Sequence, residues 1–271
     1  MSGDPLFDVQ GRVVVVTGGM GQLGRRFAQA LRQRGARVVV LDVAVDDSTV
    51  AQRYGPDREG LLFVRGDVTS AASLQAALAT IEDAWGAPHA LVNNAAIDAP
   101  PDAPPQENGP FENYPEASWD RVMAVNAKGV VLCCRTFGGA MARAGRGSIV
   151  NIASIYGIVS PDQRVYSYRR EAGEPFFKPI AYGASKASLL NITRYLATYW
   201  ASSGVRVNTL TLGGVFNQQD DRFVAAYSQR VPLGRMARES EYDAAVIFLV
   251  SDASSYMTGS NLILDGGWTA W

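Results

Sequence analysis

Histidine and cysteine are almost missing from this 271-residue chain, and the shortage narrows its chemistry before any motif is considered. His89 is the one histidine, which all but excludes a metal site of His and Cys ligands and a histidine-dependent triad, so no metal is expected. Cys133 and Cys134 are the only thiols, and neighbours on one helix cannot staple distant parts of a fold. They read as packing groups in a reducing compartment. Long apolar runs are missing as well: the longest, such as residues 37–45, carry charge or stop short of a membrane span. The opening MSGDPLFDVQGR has no charged leader followed by an apolar core, so a cytoplasmic location is the expectation. Nor is there charge of one sign to spare. A formal net charge of -1 leaves no electrostatic footprint for nucleic acid or an anionic membrane, and a small molecule is the expected partner. The chemistry falls to Ser, Tyr, Lys, Asn and carboxylates.

What is present is a rhythm. Short runs rich in Val, Ile and Leu alternate with longer segments of helical period, the pattern of βαβ units building a parallel sheet. Strands are predicted over 12–17, 37–41, 61–64, 90–93, 148–152, 205–210 and 261–264, and helices over 22–34, 71–85, 118–144, 181–202 and 239–251. No change of composition divides them, so residues 1–271 read as one α/β domain: a doubly wound parallel sheet of Rossmann type with helices on both faces. Two segments interrupt the rhythm. Residues 97–115, IDAPPDAPPQENGPFENYP, are too rich in proline for a regular element and follow a strand's carboxyl end, where such sheets bind ligands. Residues 156–179 are long for a structureless connection and carry Tyr156, Arg164, Tyr166, Arg169, Phe176 and Lys178.

Residues 13–24, VVVVTGGMGQLG, run from a strand through a glycine turn into a helix. Gly18, Gly19, Gly21 and Gly24 let the backbone approach a pyrophosphate, and the helix start at Gln22 and Leu23 presents amide N–H groups and a positive dipole end. A tight turn without a ligand is the alternative, and Asp42 weighs against it. An acid closing the second strand can accept hydrogen bonds from ribose hydroxyls and repels a 2′-phosphate, which favours NAD over NADP. A solvated strand-end acid is the other reading, and Arg12 or Arg37 could soften the discrimination.

TGGMGQLG resembles the Thr-Gly-x-x-x-Gly-x-Gly fingerprint of the short-chain dehydrogenase/reductase superfamily, with Gln22 where the middle glycine falls and Gly21 one residue earlier. The resemblance implies that Asp67 and Val68 meet the adenine ring, although Asp67 could equally cap the helix near Ser70. It also implies that Asn94, Ala95 and Ala96, in a stretch similar to Asn-Asn-Ala-Gly, brace the sheet and line the cofactor pocket.

Tyr182 and Lys186, in YGASK, stand four apart on a predicted helix and so share a face. An ammonium there can stabilise a phenolate that otherwise forms only near pH ~10, too high for a base at neutrality. Such a pair is common on helices, and its neighbours make it specific. By the same resemblance, Lys186 also holds the nicotinamide ribose and Tyr182 exchanges the proton with the alcohol or carbonyl. Ser154, ending SIVNIAS, orients the substrate oxygen, and Asn126, in VMAVNAKG, supports a water relay from the lysine. Taken singly, Ser154 could be a cap and Asn126 a polar group inside a helix. Gly213, Val215 and Asn217 stand where relatives read Pro-Gly-x-x-x-Thr, and Asn217 can still hydrogen-bond a carboxamide.

Far fewer residues separate the serine from the tyrosine in most relatives, which makes 156–179 an insertion and the expected wall or lid of a substrate pocket. Tyr156, Arg164 and Arg169 are its candidate substrate contacts, suited to a sugar or polyol with or without an anionic group; a surface or oligomer-contact flap is the alternative. The combination of SIYG, FFKPIAYGASKA and GGWTAW is similar to members associated with bacterial surface-sugar or flagellin modification. The reading as a whole is an NAD-dependent oxidoreductase of a secondary alcohol or ketone, and the resemblance implies a homo-oligomer, tetramer or dimer. The alternatives are an NADP-dependent keto reductase of oxoacyl thioesters and a nucleotide-binding protein that has lost turnover.

Overall fold

A computed structural model describes residues 5–98 and 105–271; the centre of the proline-rich 97–115 segment, residues 99–104, lies outside the described residues. All seven expected strands form: β1 (Val13–Thr17), β2 (Arg37–Asp42), β3 (Leu61–Arg65), β4 (Ala90–Asn93), β5 (Gly147–Ser154), β6 (Val205–Leu212) and β7 (Asn261–Leu264). They make one parallel sheet in the order β3-β2-β1-β4-β5-β6-β7. Every residue of β1 is buried, because both of its faces are covered. Successive side chains in a strand point to opposite faces, and the core divides accordingly. Val13, Val15, Val39 and Leu41 pack with Leu74, Ile81, Phe137 and Leu189, while Val14, Val16, Val38 and Val40 pack with Phe27, Leu31, Val246 and Leu249.

The covering helices are α1 (Gln22–Gln33), α2 (Asp47–Tyr54), α3 (Ala71–Trp85), α4 (Glu116–Met123), α5 (Gly129–Cys133), α6 (Gly139–Arg143), α7 (Ser167–Glu171), α8 (Ile180–Trp200), α9 (Asp221–Ser228) and α10 (Asp243–Val250). The helix expected over 118–144 is the continuous run from α4 to α6, widened into π turns at Ala124–Lys128 and Cys134–Gly138. α2 is absent from the sequence expectation. It buries only Val50, so no apolar period marks it; its signal is Asp46, which accepts the Thr49 N–H at 2.9 Å as a cap, with Gly55 at φ 69° closing the other end.

Residues 156–179 correct a second expectation. They contain a 3₁₀ turn at Gln163–Tyr166 followed by α7, and they own a small core in which Val165 and Tyr166 pack with Tyr227, Val231, Met236 and Trp268. The Trp268 ring stacks on Tyr227 at 4.4 Å, so the C-terminal tail is docked through Trp268 while Trp271 is exposed. No helix among the described residues is long and apolar enough to cross a membrane.

Candidate active site

The order of the sheet reverses between β1 and β4, and the carboxyl ends of these strands open a crevice at that point. The glycine turn after β1 forms one wall. Gly18 has φ +64°, and a Cβ there would stand 2.7 Å from Ala95 Cα; one at Gly24 would stand 2.1 Å from the Gly18 carbonyl oxygen. These two glycines are dictated by packing. Gly21 instead is the exposed N-cap of α1 and gives it no side-chain cap, which leaves first-turn amide N–H groups available to an anion. The Asn94 carboxamide donates to the carbonyls of Thr17 (3.0 Å) and Gly18 (3.2 Å), fixing the turn against β4. Gln22 donates to the Phe216 carbonyl at 3.0 Å, so this departure from the family fingerprint ties the turn to the loop after β6.

Asp42 ends β2 with its carboxylate accepting from the N–H groups of Met20 (3.1 Å) and Ala44 (3.0 Å). Arg37 opens the same strand and Arg12 precedes β1, where it pairs with Asp252 at 2.6 Å; both lie at the opposite end of the sheet from Asp42. Asp67 does not cap α3. Ser70 does so, accepting from the Ser73 N–H at 3.3 Å, while Asp67 accepts from the backbone and hydroxyl of Thr69 at 2.8 and 2.7 Å. Val68 is buried beside it.

Across the crevice, Ser154 ends β5 while Tyr182 and Lys186 sit one turn apart in α8. A cleft of about 970 Å³ joins Leu23, Asn94, Ser154, Tyr182, Lys186 and Val215, and Gly213, Ala96 and Asn217 also line it. Lys186 is 4% exposed, donates to the Ile152 carbonyl at 2.8 Å and stands 5.8 Å from the centre of the Tyr182 ring. Burial pulls its ammonium down from 10.5 to about 8, against the opposing charge of Asp98. The Tyr182 phenol departs from expectation. Burial, with help from the Asp98 charge and Tyr156, pushes it well above its ordinary value, and the hydrogen bond with Ser154 offsets only part of this. Desolvation is therefore the largest influence on this phenol. Asn126, on the first π turn, is buried; it accepts from the Ile97 N–H and donates to the Ile97 carbonyl, both at 2.8 Å, and reaches Ser185 at 3.1 Å.

A family model described as Enoyl-(Acyl carrier protein) reductase matches residues 18–269. The D-threitol dehydrogenase of Mycolicibacterium smegmatis is 33% identical over 97% of this chain and 95% of its own length. The NAD-dependent glycerol dehydrogenase of Listeria innocua is 31% identical over 98% of this chain and 97% of its own. A gluconate 5-dehydrogenase from Burkholderia cenocepacia, crystallised in complex with NADP and tartrate, superposes with a TM-score of 0.84 at 26% identity, covering 98% of each chain. The chain belongs to the short-chain dehydrogenase/reductase superfamily.

This short-chain dehydrogenase/reductase is an NAD(P)-dependent oxidoreductase of the alcohol and carbonyl class. Its 156–179 segment supplies part of the cleft wall, but not through all the expected residues. Tyr156 and Arg169 line the cleft. Arg164 does not: its side chain is 81% exposed and closes a two-pronged ion pair on Asp162, the nearest carboxylate in the chain. Arg169 is itself engaged, pairing with Glu174 and lying 4.1 Å over the Phe176 ring. Two residues that were not among the expected site residues enter the site. Lys178 and Asp98 form an ion pair in the cleft, with the Lys178 ammonium 5.1 Å from the centre of the Tyr182 ring. A lysine four residues before the tyrosine was a usable signal for the first, but nothing local marks the second.

Proposed function

We propose that this enzyme binds NAD across the β1/β4 crevice and interconverts a secondary alcohol and ketone on a polyol or sugar derivative, with Tyr182 as acid–base group. The observation that carries the reading is the convergence of Ser154, Tyr182 and buried Lys186 in the same cleft as the uncapped start of α1. Gly18, Gly19, Gly21, Gln22, Leu23 and Gly24 would face the pyrophosphate, Asp42 the adenosine ribose, and Asp67 and Val68 the adenine. Asn94, Ala95, Ala96, Gly213, Val215 and Asn217 would line the nicotinamide side. When bound, the nicotinamide supplies or accepts the hydride.

The protein's own groups handle the oxygen and its proton. In the reducing direction the neutral phenol of Tyr182, which burial favours, gives its proton to the carbonyl oxygen while the Ser154 hydroxyl donates to the same oxygen. In the oxidising direction the phenolate must form, and the Lys186 ammonium and Ser154 hydroxyl are placed to stabilise it. Asn126 acts by holding Ile97, and through it the cleft floor. NAD is preferred over NADP because the Asp42 carboxylate, with neither Arg12 nor Arg37 at its end of the sheet, repels a 2′-phosphate. Relatives named for threitol and glycerol support a polyol substrate. The stacked and exposed pair of Tyr195 and Tyr199 on α8 supports a homo-oligomer, and a cytoplasmic location is part of the same reading.

The test is a panel of polyols and simple secondary alcohols assayed by NADH or NADPH absorbance. Turnover is expected with polyols and NAD, and Tyr182→Phe is expected to lower kcat by about a hundredfold or more while NAD still binds. A Tyr182→Phe variant that retains full turnover defeats the proposal.

A further inference from the structure

We infer that Lys178 and Asp98 form the specificity element of this site, recognising the hydroxyl on the carbon next to the one that reacts, so that the enzyme selects vicinal diols over isolated alcohols. The inference rests on the oxidoreductase reading above. The two charges reach the cleft from segments 80 residues apart; a carboxamide grips the backbone of Lys178 itself, and another grips that of the residue before Asp98. The Lys178 N–H donates to Gln163 Oε1 at 2.8 Å while Gln163 Nε2 donates to the Lys178 carbonyl at 3.1 Å. Arg170 then fixes the Gln163 carbonyl at 2.8 Å and that of Phe176 at 2.9 Å. On the other side, Asn126 holds both backbone groups of Ile97, the residue before Asp98, at 2.8 Å. This anchoring fixes Lys178 directly and Asp98 through Ile97.

The pair is partly withdrawn from water, with the Lys178 side chain 14% and the Asp98 side chain 37% exposed, and enclosing opposite charges is a poor way to gain stability. It is a good way to bind a hydroxyl. An ammonium has three donors and a carboxylate about four acceptor positions, so Lys178 can bond a hydroxyl oxygen while holding Asp98, and a carboxylate can take more than one donor at once. With the reacting oxygen at Tyr182 and Ser154, the ammonium 5.1 Å from the ring centre is within reach of the oxygen on the adjacent carbon. A bare alkyl or acyl chain there would desolvate both charges and return nothing, and sites built to bond a hydroxyl reject analogues without it strongly. Because Asp98 already neutralises Lys178, the pair favours a neutral hydroxyl over a carboxylate.

The experiment compares kcat/KM for threitol and glycerol with kcat/KM for cyclohexanol, in the wild-type enzyme and in Lys178→Met and Asp98→Asn, with folding followed by NAD(P) fluorescence titration and Tm. The wild type is expected to prefer the diols, and each variant is expected to lower the diol-to-cyclohexanol ratio about tenfold or more, mainly through KM for the diol, as expected for a lost hydrogen bond to a charged group. The double variant is expected to go little further than the stronger single. Equal losses on all alcohols would make the pair a strap between two loops and overturn the inference. So would a wild type that prefers cyclohexanol, which leaves the oxidoreductase reading standing. A wild type that turns over no alcohol or ketone with either cofactor overturns both. If Lys178→Met fails to fold, the isosteric Asp98→Asn decides alone.

Discussion

Lys186 shows the tension between stability and function at the level of one side chain. Holding an ammonium at about 8 instead of 10.5 corresponds to a penalty of about 3 kcal/mol on the charged form, in a group that makes one hydrogen bond among the described residues, to Ile152. The sign follows from the depressed value of a cation. Between pH 8 and 10.5 the unfolded chain keeps a proton that the folded one has lost, so the penalty is full below pH 8 and fades as pH rises through that window. Lys186→Met is therefore expected to abolish turnover yet to unfold at no lower temperature than the wild type at pH 7. The difference in Tm between the two is expected to shrink towards pH 10 in thermal melts followed by circular dichroism. A variant clearly less stable at pH 7 would show that the Ile152 hydrogen bond outweighs the buried charge. None of this was legible in YGASK, because helical spacing puts tyrosine and lysine on one face but says nothing of how deeply that face is buried. The direction in which burial moves the Tyr182 phenol was illegible for the same reason.

Among the elements, the strands were the most readable and the connections the least. Val-rich runs buried on both faces can hardly be anything but parallel strands, whereas α2 hides because one buried residue makes no period. Residues 156–179 were readable as unusual and not as organised. Their small core depends on Tyr227, Met236 and Trp268, which arrive from much later in the chain. Asp162 pins this element to the one carrying α9, because it accepts from Arg164 at 2.9 Å and from Arg230 at 2.5 Å. Both guanidinium groups hold its carboxyl well below the usual carboxylate range, so its stabilisation is present above the ordinary carboxylate value and lost as pH falls towards and below it. Asp162→Asn is expected to cost about 1–2 kcal/mol, or roughly 2–4 °C in Tm. KM for the substrate is expected to rise more than kcat falls. An unchanged KM would mean that the wall of the cleft stands without this tie. The sequence offered Arg164 as a substrate contact for want of the same information: a carboxylate two residues away had already claimed it.

For the molecule as a whole, the two ends of the cleft are mechanically connected. The motif resemblance located the glycine turn and the Tyr182 end separately, but the meeting of Asp98 with Lys178 needed the folded chain. One further link crosses the same gap, the hydrogen bond from Gln22 at the start of α1 to the Phe216 carbonyl beyond β6. A dinucleotide resting on the first turn of α1 would steady that bridge, and with it the Gly213 to Asn217 stretch against which the other reactant must fit. The coenzyme is therefore expected to arrive first and leave last. Product-inhibition kinetics are expected to show NADH competing with NAD alone, and random-order patterns would break the connection. Gln22→Gly, which restores the family's glycine, would be the enzyme freed from waiting its turn.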